Sequence, residues 1–414
     1  MDQRLFFLDA LRGVAAINVM LMHVAAHFGY RFMGAAYFSV DLFFILSGFV
    51  IAARYTALLA SGMRWVEFVK QRLIRLYPMY FLGIFVGAFG LNYISQNNLS
   101  TITPTESLNS ILLNLFYIPF FNAADYPVFG TEVERGLIFP VNGPAWSLFF
   151  EIVINIGFLL TSRWSIRRHI ALAATCLFVL SYLTFSPYGA TGWATHNFGV
   201  GFIRVIAGFH AGIVIAHLYR HERVESALNM LRARSKSMAM LLLLGLCFVS
   251  SGMLPYPRAV YLLAVIGSPL VILIGAHLYV PSRWQPTCYW LGLVSYPLYC
   301  LHMPIIRAAK AVVGYDQTIS HSLFFACIVV AITAVVSIAA ARFFDEPSRR
   351  LLRRLFASKN LARILQPECR GAVPRLVVFW LRQPHLSNVD ANRGKILNKA
   401  TAHSAPFPKN NWLA

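Results

Sequence analysis

The chain has 414 residues, of which 58% are hydrophobic and only 13% are charged, and its formal net charge is +20. A soluble domain carries about 25% charged residues, so this composition excludes an ordinary soluble globular protein. The positive charge would suggest nucleic-acid binding in a soluble protein. Here it lies in short segments between apolar runs, and we expect no nucleic-acid partner.

Apolar runs of about 18 residues or more recur along the chain, and this length crosses a bilayer as a helix. Because backbone groups in lipid must be hydrogen-bonded internally, we expect an all-α, polytopic transmembrane helical bundle in contact with membrane lipids. The pattern fits about ten spans. They are predicted at 10–30, 36–53, 76–94, 145–160, 169–186, 197–219, 238–254, 258–280, 287–311 and 322–344.

The distribution of lysine and arginine predicts the orientation of these spans. Positive charge is concentrated in the segments 54–75, 163–168 and 220–236 and after the last span, whereas the long loop at 96–144 carries mainly acidic residues. The positive-inside rule therefore places both termini in the cytoplasm. We expect no cleavable signal peptide, because no small-residue cleavage site precedes the second span.

Two regions of different composition follow from the same pattern. Residues 1–350 contain all predicted spans and form the expected transmembrane domain. Residues 351–414 are polar, irregular and basic, which predicts a loosely ordered cytoplasmic tail.

Two ionisable side chains in the first two predicted spans reach a similar depth from the same side. His23 lies eleven residues after Arg12, which is about 16 Å along a helix. Asp41 lies twelve residues before the end of the second span. A carboxylate beside a histidine orients the imidazole, and the neutral imidazole can take a proton from an attacking alcohol. The depths favour a His23–Asp41 pair over the alternative, a His23 that is bonded to a helix carbonyl.

Arg72 and Arg75 form an RxxR pair next to the third predicted span. On a helix, these positions share one face, and two guanidinium groups there could clamp a phosphate. The alternative is ordinary anchoring of the span end by positive charge. The spacing alone favours anchoring.

The fourth predicted span opens on Trp146 and carries Glu151 about 9 Å from its outer end. A carboxylate at that depth needs a partner, such as an arginine or an acceptor hydroxyl. His302 in the ninth span and Arg204 in the sixth are also at membrane depth. His302 is deep enough to line a cavity, but for both residues we favour a packing role.

Other signatures of chemistry are missing from the sequence. It contains no phosphate-binding P-loop, no GxSxG nucleophile motif and no CxxC pair among its six cysteines. No His/Cys group has the spacing of metal ligands, so we expect no metal site.

Taken in order, several motifs resemble those of the acyltransferase-3 family, whose mark is an arginine, ten residues and then a histidine. Each motif alone is weak, but their order and spacing between about residues 5 and 350 are specific. The matching stretches are LDALRG at 8–13 followed by His23, SVDLFFILSGFVI at 39–51, RLIRLYP at 72–78, WSLFFE at 146–151, SYPLY at 295–299 with His302, and FFDEP at 343–347.

The resemblance implies ten helices that transfer acyl groups from cytoplasmic acyl-CoA to extracytoplasmic sugars. It also implies a role for each matching residue. His23 is then the catalytic base, Asp41 supports it, Glu151 helps to shape the acceptor site, and Arg12, Arg72 and Arg75 hold the CoA phosphates.

On this basis we expect an O-acyltransferase in the bacterial inner membrane. Its donor would be acyl-CoA, most simply acetyl-CoA, used as a co-substrate with no permanently bound cofactor. Its acceptor would be a hydroxyl of a cell-surface or exported polysaccharide, a lipopolysaccharide or a lipid-linked sugar.

Two alternatives stay open at this point. A transporter or flippase could use the buried His, Asp and Glu as a proton or substrate relay, although the sequence shows no internal repeat. The other large class of membrane-bound O-acyltransferases also uses a buried histidine, but usually late in the chain.

Overall fold

The computed structural model describes residues 4–129, 131–185, 191–229, 234–253, 257–314 and 322–356. Within these ranges the protein is a bundle of helices with one small hairpin. The helices are α1 Phe6–His27, α2 Ser39–Ala60, α3 Trp65–Gln96, α4 Pro104–Leu115, α5 Ala145–Thr161, α6 Ile166–Phe185, α7 Phe198–Tyr219, α8 Glu222–Asn229, α9 Ser235–Ser250, α10 Pro257–His277, α11 Gln285–Val313, α12 Leu323–Ala340 and α13 Glu346–Leu355; the strands are β1 Asp125–Phe129 and β2 Glu132–Arg135.

A helix lies at each of the ten predicted span positions, which confirms an all-α membrane protein. In the described part of the chain, six helical segments are long and apolar enough to cross a bilayer. The helices α5 and α9 and the part of α10 at Ile266–His277 are apolar but shorter. The number of ten crossings and the cytoplasmic position of the termini stay predictions.

The bundle core is built by a few extensive helix pairs. α1 packs most extensively on α11 and α2 on α7, while α6 packs on α7 and α3 on α11. The α2–α7 contact depends on glycine: a Cβ at Gly48 would lie 2.0 Å from the carbonyl oxygen of Phe209, and one at Gly212 would lie 2.1 Å from that of Ile45. These two helices therefore approach each other backbone to backbone, as small residues allow in membranes.

α3 begins at Trp65, well before the predicted span at 76–94, so the RxxR pair lies within a continuous helix. α1 begins, α2 ends and α3 begins at the same end of the bundle, which we call the basic end because it carries Arg54, Arg64 and Lys70. α13 packs against α3 at this end.

The segment at 96–144, predicted only as a polar loop, contains α4 and the β1–β2 hairpin. α4 starts with a capping box, in which the Thr103 hydroxyl accepts the backbone N–H of Glu106 and the Glu106 carboxylate accepts the backbone N–H of Thr103. Pro104 occupies the first helical turn, where its missing N–H costs nothing. The threonine-proline-x-glutamate sequence is thus a local start signal that the apolar pattern does not contain.

The chain leading into α5 is non-helical and yet buried throughout residues 136–144. Irregular backbone at membrane depth is tolerated only where protein satisfies its polar groups. The Asn142 side-chain amide donates to the carbonyl of Cys300 at 2.8 Å, and Arg307 donates to the carbonyl of Pro140. α5 therefore starts inside the protein, against α11.

α12 ends in a π-helical segment, Ala341–Asp345, and continues as α13 to Leu355. The predicted boundary between transmembrane domain and tail, at residue 350, lies inside α13. The rest of the predicted tail, 357–414, lies outside the described residues.

Candidate active site

His23 lies on α1 and is half-buried. Its Nδ1 is 3.0 Å from the carbonyl oxygen of Val19, one turn earlier in the same helix. A carbonyl can only accept, so Nδ1 carries the proton and the lone pair of the neutral ring is on Nε2. The tautomer that a general base needs is thus fixed by the backbone of α1.

A second histidine faces the first from α11. The rings of His23 and His302 have centroids 5.1 Å apart. His302 is fully buried, its Nδ1 is 3.0 Å from the carbonyl of Leu298, and its Nε2 makes no hydrogen bond. Tyr299, whose ring centroid is 5.8 Å from that of His302, shares a 2.7 Å hydrogen bond with the Ser147 hydroxyl. Tyr299 therefore connects the start of α5, which it contacts at Ser147, with the two histidines, which it contacts at His302.

Asp41 does not pair with His23, and our expectation of that pair is wrong. Both oxygens of the Asp41 carboxylate accept from Arg204 on α7, at 3.0 Å from Nε and 2.7 Å from Nη2. Arg204 is 1% exposed, so the two charges neutralise each other in the interior. The depth argument failed because a guanidinium on a neighbouring helix satisfies a carboxylate better than a neutral imidazole does.

Glu151 on α5 has the arginine partner that the sequence predicted. Its Oε1 is 3.3 Å from Nη2 of Arg72 and accepts a 3.0 Å hydrogen bond from the Ser47 hydroxyl. The predicted acceptor-site carboxylate and one predicted phosphate-binding arginine thus belong to one cluster. The side chains of Arg72 and Glu151 are 16% and 19% exposed, so the pair is open to a ligand.

Arg12 and Arg75 lie near this cluster on two other helices. Arg12 donates from Nε to the Ser295 hydroxyl at 2.9 Å and from Nη2 to the carbonyl of Gly292 at 2.7 Å. It is within electrostatic range of Arg75 and Glu151. Arg75 lies over the ring of Tyr296, 5.2 Å from its centroid. The three predicted phosphate-binding arginines are therefore gathered between α1, α3 and α11.

Two of these guanidinium groups each have a donor that makes no hydrogen bond in the described structure. Arg72 Nε and Arg75 Nη1 are buried atoms without a hydrogen bond in the structure. Unsatisfied charged donors are costly inside a protein and are normally found where a ligand supplies the acceptor. Phosphate oxygens match the guanidinium fork in charge and geometry. Across the described ranges, no group of three or more His, Cys, Asp or Glu residues could hold a metal ion.

The sequence did not predict which side chains contact the candidate site residues. Arg204 and His302 were assigned to packing, and Asp345, which is buried against Arg75 and Arg349, was not singled out. One signal was available for Arg204: a cation and a carboxylate at membrane depth on different spans have strong reason to pair. The proximity of His302 to His23 depends on the α1–α11 packing and leaves no sequence signal.

A family profile described as an acyltransferase domain matches residues 5–342. The chain is 36% identical over 174 residues to a protein described as protein 2 in the picA locus of Rhizobium radiobacter, covering 40% of this chain and 84% of the relative. It is 21% identical over 373 residues to a putative peptidoglycan O-acetyltransferase of Bacillus subtilis, covering 85% of this chain and 56% of that protein.

A peptidoglycan O-acetyltransferase of Listeria monocytogenes is 23% identical over 443 residues, covering 94% of this chain and 64% of its own length. The chain thus spans between about half and two thirds of the two O-acetyltransferases it matches. No solved structure matches. The profile covers most of the chain, including the Arg12–His23 spacing, the RxxR pair and the α5 motif. The chain therefore belongs to the acyltransferase-3 family.

Proposed function

We propose that this protein is a membrane O-acyltransferase that moves an acetyl or other short acyl group from acyl-CoA to a hydroxyl of a cell-surface or exported glycan. The observation that carries the proposal is the position of a histidine on α1 and of a group of arginines nearer the basic end. His23 presents the lone pair of Nε2, and Arg12 lies about 16 Å nearer the basic end on the same helix. Arg72 and Arg75, near Arg12, each keep a buried guanidinium nitrogen that makes no hydrogen bond in the described structure. A donor that carries phosphates at one end and a thioester at the other fits both features.

In the proposed reaction, Nε2 of His23 takes the proton of the acceptor hydroxyl as its oxygen attacks the thioester carbonyl carbon. The tetrahedral intermediate then collapses, the carbon–sulfur bond breaks and the imidazolium gives its proton to the leaving CoA thiolate. The products are the acyl ester and free CoA, and His23 returns to its neutral form. The Val19 carbonyl holds the ring in the required tautomer throughout.

Asp41 has no direct step in this scheme, because its carboxylate is committed to Arg204. Glu151 is placed to influence both substrates, since it contacts Arg72 and the hydroxyl of Ser47. We propose that it positions the acceptor while limiting the freedom of Arg72. The inner-membrane location and the sugar acceptor rest on the same proposal.

The test uses the purified full-length protein in nanodiscs, with free CoA released from acetyl-CoA as the readout. We compare wild type with His23→Ala and Arg72→Gln. The matched control for the arginine is Arg64→Gln, an exposed cation just before α3. We expect loss of turnover for the first two variants and wild-type turnover for the control.

A direct binding measurement with acetyl-CoA separates the two roles. His23→Ala should bind the donor without turning it over, whereas Arg72→Gln should bind it more weakly. If wild type neither binds acetyl-CoA nor releases CoA, but moves a solute across proteoliposomes, the acyltransferase proposal is wrong and the transporter alternative stands. Full turnover by His23→Ala would refute the assigned base.

A further inference from the structure

Four arginines from three helices lie within electrostatic range of one another where α13 packs against α3 at the basic end. We call them the junction cluster: Arg54 of α2, Arg75 of α3, and Arg349 and Arg353 of α13. Arg353 is within electrostatic range of Arg54 and Arg75. Arg349 and Arg353 are four residues apart, so they lie one above the other on the same face of α13.

The junction cluster contains more positive charge than its own carboxylate can neutralise. Asp345, which is fully buried, contacts Arg349 at 2.6 Å and lies 3.8 Å from Arg75. Glu346, the next residue, lies about 100° further round the helix and pairs with Arg342 and Arg350. In the described structure, the four guanidinium groups therefore have one buried carboxylate, Asp345, and the weaker influence of Glu346 on Arg349, an excess of positive charge that favours the binding of a further anion.

Two donors of the junction cluster, Nε of Arg54 and Nη1 of Arg75, are also buried and make no hydrogen bond in the described structure, although Nη1 of Arg75 lies 3.8 Å from the Asp345 carboxylate. Arg54 lies over the ring of Tyr55, at 5.2 Å from its centroid, which orients its planar group. Oriented guanidinium groups with free N–H donors suit a phosphate oxygen rather than a diffuse counterion.

The members of the junction cluster lie at different depths. The side chains of Arg349 and Arg75 beside the buried Asp345 are 13% and 26% exposed, whereas Arg353, one turn further along α13, is exposed. CoA has the same order of charges: its diphosphate is nearer the thioester, and the phosphate on its ribose is further away. A donor bound with its thioester near His23 would place the ribose phosphate at the outer arginines.

We propose that Arg54 and Arg353 bind the 3′-phosphate of the donor's ribose, so that the protein distinguishes acyl-CoA from its 3′-dephospho form. This inference rests on the proposed acyl-CoA function and adds a second anion subsite to Arg12 and Arg72. The ligand group is a phosphate monoester. A lipid headgroup offers similar chemistry, and the test separates the two sources.

The experiment measures kcat/KM for acetyl-CoA and for 3′-dephospho-acetyl-CoA with the full chain in phosphatidylcholine nanodiscs. Wild type should prefer acetyl-CoA by about 10- to 100-fold, the range for a charge-assisted hydrogen bond. Arg353→Gln should lower kcat/KM for acetyl-CoA while leaving the dephospho substrate unchanged, so the preference falls toward one. Arg354→Gln, the neighbouring exposed arginine, is the matched control and should keep the wild-type preference. Arg54→Gln should behave as Arg353→Gln does.

Four outcomes overturn the proposal. A wild type that uses both thioesters equally, or an Arg353→Gln variant that keeps the full preference, removes the 3′-phosphate subsite while the acyltransferase function stands. An effect of Arg353→Gln that appears only with phosphatidylglycerol in the nanodiscs identifies a lipid headgroup as the ligand. A wild type that turns over neither thioester refutes the proposed function itself.

Discussion

Breaking the buried Asp41–Arg204 pair should destabilise the protein strongly, and replacing both residues together should largely restore it. The two charges form two hydrogen bonds of 2.7 and 3.0 Å, and their side chains are 8% and 1% exposed. Removing one partner of such a pair costs about 3–5 kcal/mol, whereas replacing both by apolar residues is often neutral. Arg204 also donates to the Thr191 carbonyl, so a residual cost remains in the double variant.

A double-mutant cycle tests this expectation with the variants Asp41→Leu, Arg204→Met and the combination of both. Unfolding in detergent is the first readout. Each single change should lower the unfolding midpoint clearly, and the double change should lower it less than either. Turnover is the second readout. Where a carboxylate orients a catalytic imidazole, its replacement costs about 10⁴-fold; because Val19 holds His23, the double variant should escape a loss of that size. Strictly additive destabilisation, or a stable but inactive double variant, would refute the reasoning.

Three further changes test separate parts of the structure. Gly48→Ala should disrupt the α2–α7 contact, because its Cβ would lie 2.0 Å from a backbone carbonyl of α7. Gly245→Ala introduces its Cβ into open space and should stabilise α9 by about 0.5–1 kcal/mol. Thermal unfolding of both variants checks these two expectations. Hydrogen bonds from Thr103 in the capping box lower the pKa of Glu106. The stability that the ionised Glu106 gives to α4 is therefore fully present above the unfolded pKa of about 4.3 and is lost as the pH falls through the lower pKa of the folded state. Amide exchange should show protection of α4 that declines only in acid, and unchanged protection at pH 2 would contradict this. His302→Phe should retain more turnover than His23→Ala, which is expected to lose about 10²–10⁴-fold, and an equal loss would mean that His302 also transfers a proton.

The sequence was informative where one local pattern determines the outcome. Span length and apolarity predicted helices at the span positions. The RxxR pair was considered only for the case of a helix, and it lies in one that begins before the predicted span. The partner type of Glu151 was also predictable, because a carboxylate at membrane depth needs a cation or a hydroxyl.

The sequence was uninformative where two helices must first pack. Depth along the chain places His23 and Asp41 at similar levels but does not say which faces they present. α1 turns His23 toward α11 and α2 turns Asp41 toward α7, so the expected pair never meets. The burial of segment 136–144 could not be predicted for a related reason. Its polar groups are hydrogen-bonded by residues distant in sequence, such as Arg307, and such contacts leave no local pattern in the sequence.

The π-helical segment Ala341–Asp345 acts as a rotational offset between the lipid-facing α12 and the arginine-bearing α13. A π-turn accommodates one residue more than an α-turn, and each residue of an α-helix turns the chain by about 100°. A change of this segment to regular α-helix at the same length would swing Arg349 and Arg353 away from Arg75 by about that angle, whereas deleting the one extra residue would leave their direction nearly unchanged. The position of both arginines therefore depends on the π-helical geometry of the segment, so a one-residue deletion here should be better tolerated than a one-residue deletion within α13.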